Sequence, residues 1–272
     1  MSTPGQKPDF DTLATDYAKF RTSYSETLFD AILGYARLGA SGCVLDLACG
    51  TGLGLLPYVR RGFSVIGVDV APSMVEQARR ILPPHAHVEF RLGRAEQLPV
   101  PDASIDLVSC AQAFHWFEPH AAFAECARVL VPGGALAIFW KHAAPGDVLT
   151  ATSEALVREW LGEEAVRRSR DHADEHIAGW PVFWQQVAAQ GEPAQGRSFI
   201  DGRKEVVEFM LPRTGEEFVG YQRSREKIRF VLGERRDEFL AELERRLRAE
   251  GPMDKPIDQR QVQYVFLARK AA

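Results

Sequence analysis

Five short runs rich in β-formers, Cys43–Leu47, Ser64–Asp69, Val88–Leu92, Ile105–Cys110 and Ala135–Trp140, alternate with stretches at helical spacing over 53–62, 72–82 and 119–130. No other feature of the chain restricts its fold so strongly. Strands joined by helices must run parallel, because a parallel pair needs a long crossover, and the crossovers then cover the sheet on both faces.

Local signals sharpen the boundaries. Residues 24–38 repeat apolar positions at helical spacing with Leu28, Ile32 and Tyr35 on one face, so a helix precedes the sheet. Pro72-Ser73 marks a helix start, and Pro132-Gly133-Gly134 reads as a turn into the fifth strand. Beyond Trp140 the texture changes: 147–190 reads as helical and 199–211 as a turn followed by a sixth strand. Thr214 with Glu217 three residues on has the signature of a capping box. A charged helix over 235–249 carries the stripe Phe239, Leu240, Leu243 and Leu247, and 262–270 reads as a last strand. The expectation is an α/β, Rossmann-like fold: a seven-stranded, mostly parallel sheet with helices on both faces and a helical lid. At 272 residues, 46% of them hydrophobic, one domain suffices. We divide it into a core at 40–142, an N-terminal helical cap at 1–39, lid insertions at 143–198 and 212–255, and final strands at 199–211 and 259–270.

A net charge of −4 gives no electrostatic footprint for nucleic acid. Cys43, Cys49, Cys110 and Cys126 lie in or beside apolar segments without CxxC spacing, which predicts reduced thiols in a cytoplasmic protein. Neither a signal-peptide core in MSTPGQKPDFDT nor a run of membrane-spanning length is present, so no membrane partner is expected. A monomer or homodimer is anticipated.

Chemistry concentrates where the first strand ends, in VLDLACGTGLG at 44–54. A dinucleotide site would read GxGxxG and a triphosphate site would end in GK[ST]; this turn does neither, and Asp46 would repel phosphate. A carboxylate there suits an ammonium group, while Gly50 and Gly52 leave bare backbone for an amino-acid carboxylate or a sulfonium-bearing chain. The second strand ends in Asp69, where an acidic residue accepts two ribose hydroxyls. Together they describe an adenosyl ligand with an amino-acid tail and no phosphate: S-adenosylmethionine, with S-adenosyl-L-homocysteine as product.

Over roughly 40–142 the sequence resembles the class I S-adenosylmethionine-dependent methyltransferases of the methyltransferase type 11 kind. GRAEQLPVPDASIDLV at 93–108 and AQAFHWFEPHAAFAECARVLVPGGALAIFW at 111–140 extend the likeness. HWF after the fourth strand and YAKFRTSY near the start resemble the small-molecule branch that includes trans-aconitate methyltransferase-like enzymes. The resemblance implies that Asp46, Ala48, Gly50 and Gly52 surround the methionine part, that Asp69 binds the ribose, and that Val70 and Met74 pack on adenine. It further implies that Ala95 and Glu96 line the adenine edge and that Gln112 reaches the cofactor. Two positions depart from the family pattern: Ala48 replaces the first glycine and is expected at ordinary backbone angles, and Arg94 stands where an aspartate is frequent.

The resemblance implies transfer of a methyl group to a small-molecule acceptor. The acceptor atom is expected to be a carboxylate or hydroxyl oxygen, with nitrogen or carbon next, then RNA or protein, then a non-catalytic binding protein. A carboxylate acceptor needs no base, whereas a phenol or amine does. His115, after the fourth strand, is the candidate base and His142 the reserve; alternatively His115, Trp116 and Phe117 form a packing wedge. By resemblance the helix bearing Tyr17 and Arg21 folds over the cofactor cleft, where Tyr17 closes the transfer zone and Arg21 receives an acidic substrate. Trp116, Trp140, His142, Trp180 and Trp184, with Phe183, are candidates for the acceptor pocket. His172 and His176 sit four apart without the HExxH order or an evident third ligand, and no metal is assigned.

Overall fold

The computed structural model describes residues 10–39, 41–83, 87–144, 146–169, 198–250 and 253–271. His172, His176, Trp180, Phe183 and Trp184, and the helix expected to continue to 190, lie outside the described residues. The chain sorts into two compact units: a sheet unit of 23–141, 174–207 and 263–272, and a helical unit of 1–22, 142–173 and 208–262.

Seven strands form one mixed sheet: β1 Cys43–Leu47, β2 Ser64–Asp69, β3 Val88–Leu92, β4 Ile105–Ala111, β5 Leu130–Ala143, β6 Phe199–Arg213 and β7 Ile257–Lys270. Their order is β3-β2-β1-β4-β5-β7-β6, with β1 parallel to both β2 and β4. The direction of winding therefore reverses at β1, and in open α/β sheets ligands bind at the carboxyl ends of the strands beside such a reversal. Neighbouring residues of one strand fall into different core clusters: Leu45, Val108, Ile138 and Trp140 in one, Val44, Leu107, Ala137 and Phe139 in the other. This is the period-two alternation of a sheet buried on both faces.

The expected turn at Pro132–Gly134 is instead an irregularity within β5. Ile105 pairs with Leu130 but Leu107 with Ala135, so the intervening β5 residues bulge and the strand begins earlier than its apolar run. A second departure concerns the expected cap at 1–39. Helix α2, Glu26–Ala36, is capped by Ser25 Oγ accepting from the Leu28 amide at 3.2 Å, and it buries Leu28, Phe29, Ile32 and Tyr35 in the sheet unit. Phe29 meets Tyr58 edge-on at 5.1 Å and Phe139 at 6.0 Å. Its apolar stripe thus makes it a core helix, and only residues up to Thr22 fall in the other unit.

The helical unit has its own core. Leu149, Leu156 and Val157 of Val148–Leu161 join Val166 of Glu163–Ser169, Phe218 and Val219 of Gly215–Arg223, Ile228 of Glu226–Leu232, and the stripe Phe239, Leu240, Leu243 and Leu247 of Arg236–Glu250. The Thr214 capping box forms as read: Thr214 Oγ1 accepts from the Glu217 amide at 3.1 Å and Glu217 accepts from the Thr214 amide at 2.9 Å. Helix Phe10–Phe20 lies so close to Gly215–Arg223 that a Cβ on Gly220 would fall 2.1 Å from the Phe20 ring. No helix among the described residues is long and apolar enough to cross a membrane.

Candidate functional site

Three strand ends of the sheet unit converge on the reversal point. Asp46, one residue short of the end of β1, is registered against Gly67 of β2 and Ser109 of β4. It is 1% exposed, and neither carboxylate oxygen has a hydrogen-bond partner among the described residues. Burial pushes its pKa well above the ordinary carboxylate range, and the charge of Asp69 pushes the same way. A buried carboxylate left in this state is costly unless a cation or donor meets it. Thr51 Oγ1 is likewise buried without a partner.

Beyond Leu47 the chain turns sharply. Ala48 takes φ +55°, Gly50 +52° and Gly52 +85°. The expectation that Ala48 keeps ordinary angles is therefore wrong: alanine occupies the left-handed conformation that a glycine would adopt without strain. The glycine amides are not the bare donors anticipated. Gly50 N–H donates to Asp69 Oδ2 at 2.8 Å, and Gly52 N–H donates to the Cys49 carbonyl at 2.9 Å. What Gly50 offers is room, since nothing lies within 4 Å of where its Cβ would stand. Gly54 is also close to the acid, its absent Cβ 3.5 Å from both Asp46 carboxylate oxygens.

Asp69 ties the turn together. Oδ2 receives the Gly50 amide and Oδ1 the Ala71 amide at 2.9 Å, so the end of β2 is bonded to the β1 turn. Next to it Val70 is 58% exposed, an apolar side chain on the surface, while Met74 of Pro72–Ile81 and Ala95 are buried. Glu96 accepts from the Glu118 amide at 3.0 Å and pairs with Arg94 at 3.5 Å. Arg94 thus stands on the surface beside Glu96.

After β4, Gln112 is, like Ala48, a non-glycine in the left-handed region, at φ +59°. Its amide donates to the Phe139 carbonyl at 2.9 Å and its side-chain Nε2 to the Lys141 carbonyl at 2.8 Å, which fixes the loop to β5. Strain of this kind, at two strand ends flanking the winding reversal, is what functional sites store. His115 follows on the 3-10 turn Phe114–Trp116, exposed and tilted against Trp116 at 4.6 Å. Trp140 Nε1–H is directed at His115 Nδ1 at 3.5 Å, the long limit of a hydrogen bond.

The remaining sequence candidates fall in the helical unit. Tyr17 lies in Phe10–Phe20, and Arg21 one residue beyond it stacks on the Tyr17 ring at 4.8 Å. His142 is 7% exposed. Sequence reasoning did not single out Thr51 or Gly54 of the turn, although both sit inside the quoted motif. It also missed Arg213, Tyr221 and Ser224, which associate with Arg21 across some two hundred residues of chain. No local spacing signals such a grouping. Among the described residues no cluster suited to a metal ion occurs.

A methyltransferase-domain family model matches residues 45–138, from β1 into β5. The chain is 40% identical over 131 residues to an uncharacterized methyltransferase of Mycobacterium tuberculosis, a match spanning 48% of this chain and 51% of that protein. It thus spans about half the length of such curated relatives. It is 32% identical over 184 residues to a demethylmenaquinone methyltransferase of Renibacterium salmoninarum, covering 60% of this chain and 76% of that one. Among solved structures, a candidate type II methyltransferase from Anaeromyxobacter dehalogenans superposes with TM-score 0.60 at 23% identity, over 93% of this chain and 98% of that one. A Haemonchus contortus phosphoethanolamine N-methyltransferase, solved with S-adenosyl-L-methionine, gives TM-score 0.52 at 20% identity, over 96% of this chain and 57% of that one. At these identities the structural likeness shows the fold.

Proposed function

The chain belongs to the S-adenosylmethionine-dependent methyltransferases of class I, and from that premise we propose that it methylates a small-molecule acceptor, at a carboxylate or hydroxyl oxygen. One observation carries the reading of the site: a buried aspartate with both oxygens unmet, beside a turn in which Gly50 leaves open space. These residues fit a ligand with a positive charge and no phosphate. When bound, S-adenosylmethionine supplies a methyl group on a cationic sulfur and leaves as S-adenosyl-L-homocysteine.

In this reading Asp46 meets the ammonium group, with Ala48, Gly50 and Gly52 lining the methionine chain. Asp69 accepts the ribose hydroxyls, Val70 and Met74 cover adenine, and Ala95, Glu96 and Gln112 complete the edge. An acceptor that carries no proton needs no base. The likeness to the trans-aconitate methyltransferase-like branch supports a carboxylate acceptor, for which His115 is not required as a base; a phenol or amine would draw on it. Within the sheet unit His115 is then a group that orients the acceptor, and Trp116 and Trp140 supply pocket wall. The demethylmenaquinone relative supports a second reading, methylation at carbon, which does require proton removal.

The test is adenosylhomocysteine release across a panel of carboxylates, phenols, amines and quinols. Carboxylates are expected to lead, with a base-labile methyl ester as product. Turnover of quinols alone would favour carbon methylation, and binding without turnover of any acceptor would count against catalysis. Asp69→Ala is expected to weaken adenosylhomocysteine at least about tenfold in calorimetry, through lost charge-assisted hydrogen bonds. Unchanged affinity would remove the ribose assignment.

A further inference from the structure

The core next to Asp46 holds a pair of hydroxyls that the cofactor reading does not use. Tyr58, in the helix Leu56–Arg60, donates its phenolic proton to Ser109 Oγ of β4 at 3.0 Å. Both side chains are fully buried, and Phe29 holds the Tyr58 ring edge-on at 5.1 Å. Ser109 is registered against Asp46 where β1 pairs with β4. Both face the side of the sheet on which Tyr58 packs, because Val44 and Leu107, two residues before each of them, share its core cluster.

A Cβ on Gly54 would lie 3.5 Å from both Asp46 carboxylate oxygens and 3.2 Å from Cβ of Ala111, which stands two residues past Ser109 on the same side of β4. The carboxylate and the end of β4 therefore flank one glycine. Ser109 has a single hydroxyl proton, and among the described residues no acceptor takes it, since its Oγ is occupied in receiving the Tyr58 proton. Asp46 has the complementary lack, two carboxylate oxygens and no donor. No cation among the described residues acts on it: Asp69, from the end of β2, adds negative charge. Burial, foremost, keeps the thiols of Cys49 in the turn and Cys110 in β4 protonated, and likewise the phenol of Tyr58, and the charge of Asp46 acts on all three in the same direction. A neutral hydroxyl is thus the donor at hand for the acid.

Two apolar side chains would fill the same space without burying hydroxyls, and exchanging both partners of such a bond for apolar groups is close to neutral. The pair has a purpose if it serves the acid. A hydroxyl donating to a buried carboxylate favours the ionised form, and a second hydroxyl donating to the first polarises and strengthens that bond. We propose that Ser109, backed by Tyr58, is a positioning residue for cofactor binding, whose hydroxyl turns to donate to Asp46 when that carboxylate ionises to meet the ligand's ammonium group. Only one proton leaves: Asp46 releases it to solvent, while the protons of Ser109 and Tyr58 stay on their own oxygens. All three residues lie within the sheet unit. This rests on the reading of Asp46 as the ammonium partner, but the ionisation of Asp46 can be followed without any ligand.

The experiment has two readouts on the full chain: calorimetric titration with adenosylhomocysteine over a pH series, and carbon-13 NMR titration of the aspartate carboxyls without ligand, with Asp46→Asn identifying the Asp46 signal. Ser109→Ala is expected to move the Asp46 titration up by about one pH unit, which on the rising limb of affinity against pH weakens adenosylhomocysteine about tenfold. Once Asp46 is ionised in both proteins the difference should close to within about twofold. Tyr58→Phe removes only the backing donor and should act in the same direction by about threefold. Ser109→Thr keeps the hydroxyl and should restore the wild-type profile. Because Ser109→Ala leaves the Tyr58 hydroxyl buried without its acceptor, the double variant Tyr58→Phe with Ser109→Ala, which removes both hydroxyls, provides the reading should the single one not fold, and the same upward shift is expected of it. An Asp46 titration that stays in place in these variants would overturn the role, as would affinity lowered equally at every pH, which is what lost packing alone produces. Failure of the wild-type chain to bind adenosylhomocysteine would instead strike the cofactor reading, and the NMR titration would still decide whether Ser109 donates to Asp46.

Discussion

Ala48 and Asp46 stand two residues apart and express two different costs of one site. An alanine at φ +55° is strained by about 1–2 kcal/mol relative to a residue that accepts the left-handed region. Ala48→Gly is therefore expected to raise unfolding free energy by roughly 1 kcal/mol in chemical denaturation, less the added freedom of glycine in the unfolded chain. A drop in stability would mean the Ala48 methyl makes packing contacts worth more than the strain. The cost at Asp46 is electrostatic. Its folded-state pKa lies above its unfolded value, so its contribution to stability is whole below the ordinary carboxylate range and is lost as pH rises through the raised pKa. A cationic ligand recruits the ionised form and must displace the proton. Adenosylhomocysteine affinity is thus expected to climb as pH rises above the ordinary carboxylate range, with proton release visible in calorimetry across buffers of different ionisation enthalpy. Asp46→Asn should flatten that dependence and weaken binding by about tenfold or more. A pH-independent wild-type affinity would show that Asp46 is already ionised before the ligand arrives. Both features explain what the sequence could and could not reveal. Asp46 and Asp69 are legible because chain order alone places them at strand ends. The φ of Ala48 and the Gly50–Asp69 bond are not, since they arise only when two strand ends are brought side by side.

Among elements, those set by local periodicity and capping were readable. β1, β2 and β3 have the bounds their apolar runs predict, and the Thr214 box closes as its spacing requires. Misreadings occurred where tertiary pairing overrides local chemistry. A Pro-Gly-Gly segment inside β5 is pulled into the sheet by pairing on either side of it, and α2 joins the sheet core because its stripe matches Tyr58 and Phe139. The meeting of Phe10–Phe20 with Gly215–Arg223 is a contact of this second kind, invisible in sequence, and it depends on one missing methyl group. Gly220→Ala puts a carbon where the Phe20 ring lies and is expected to cost about 1–3 kcal/mol. Protease cleavage near Phe20 should accelerate in that variant. Pairing it with Phe20→Leu, which vacates ring volume, should recover part of the loss in a double-mutant cycle. Strict additivity of the two changes would show that the helices are not coupled at this point.

At the scale of the whole molecule, the division into two units assigns different tasks to different stretches of chain. The family match at 45–138 falls within the sheet unit, together with every residue proposed to hold the cofactor. The helical unit, assembled from three separate segments with its own core of Leu149, Phe218, Phe239 and Leu243, holds Arg21 and Arg213. A ligand that binds only the folded state stabilises it by RT ln(1 + [L]/Kd), about 2.7 kcal/mol at a hundredfold excess over Kd. If the cofactor residues are as proposed, the slowing of amide exchange caused by adenosylhomocysteine should be largest in peptides spanning 43–54 and 64–74. The Gly50 and Ala71 amides stand there on the Asp69 carboxylate, and opening the turn would release the ligand. Protection spread evenly over the sheet unit, with no excess at 43–54 and 64–74, would move cofactor recognition away from this turn.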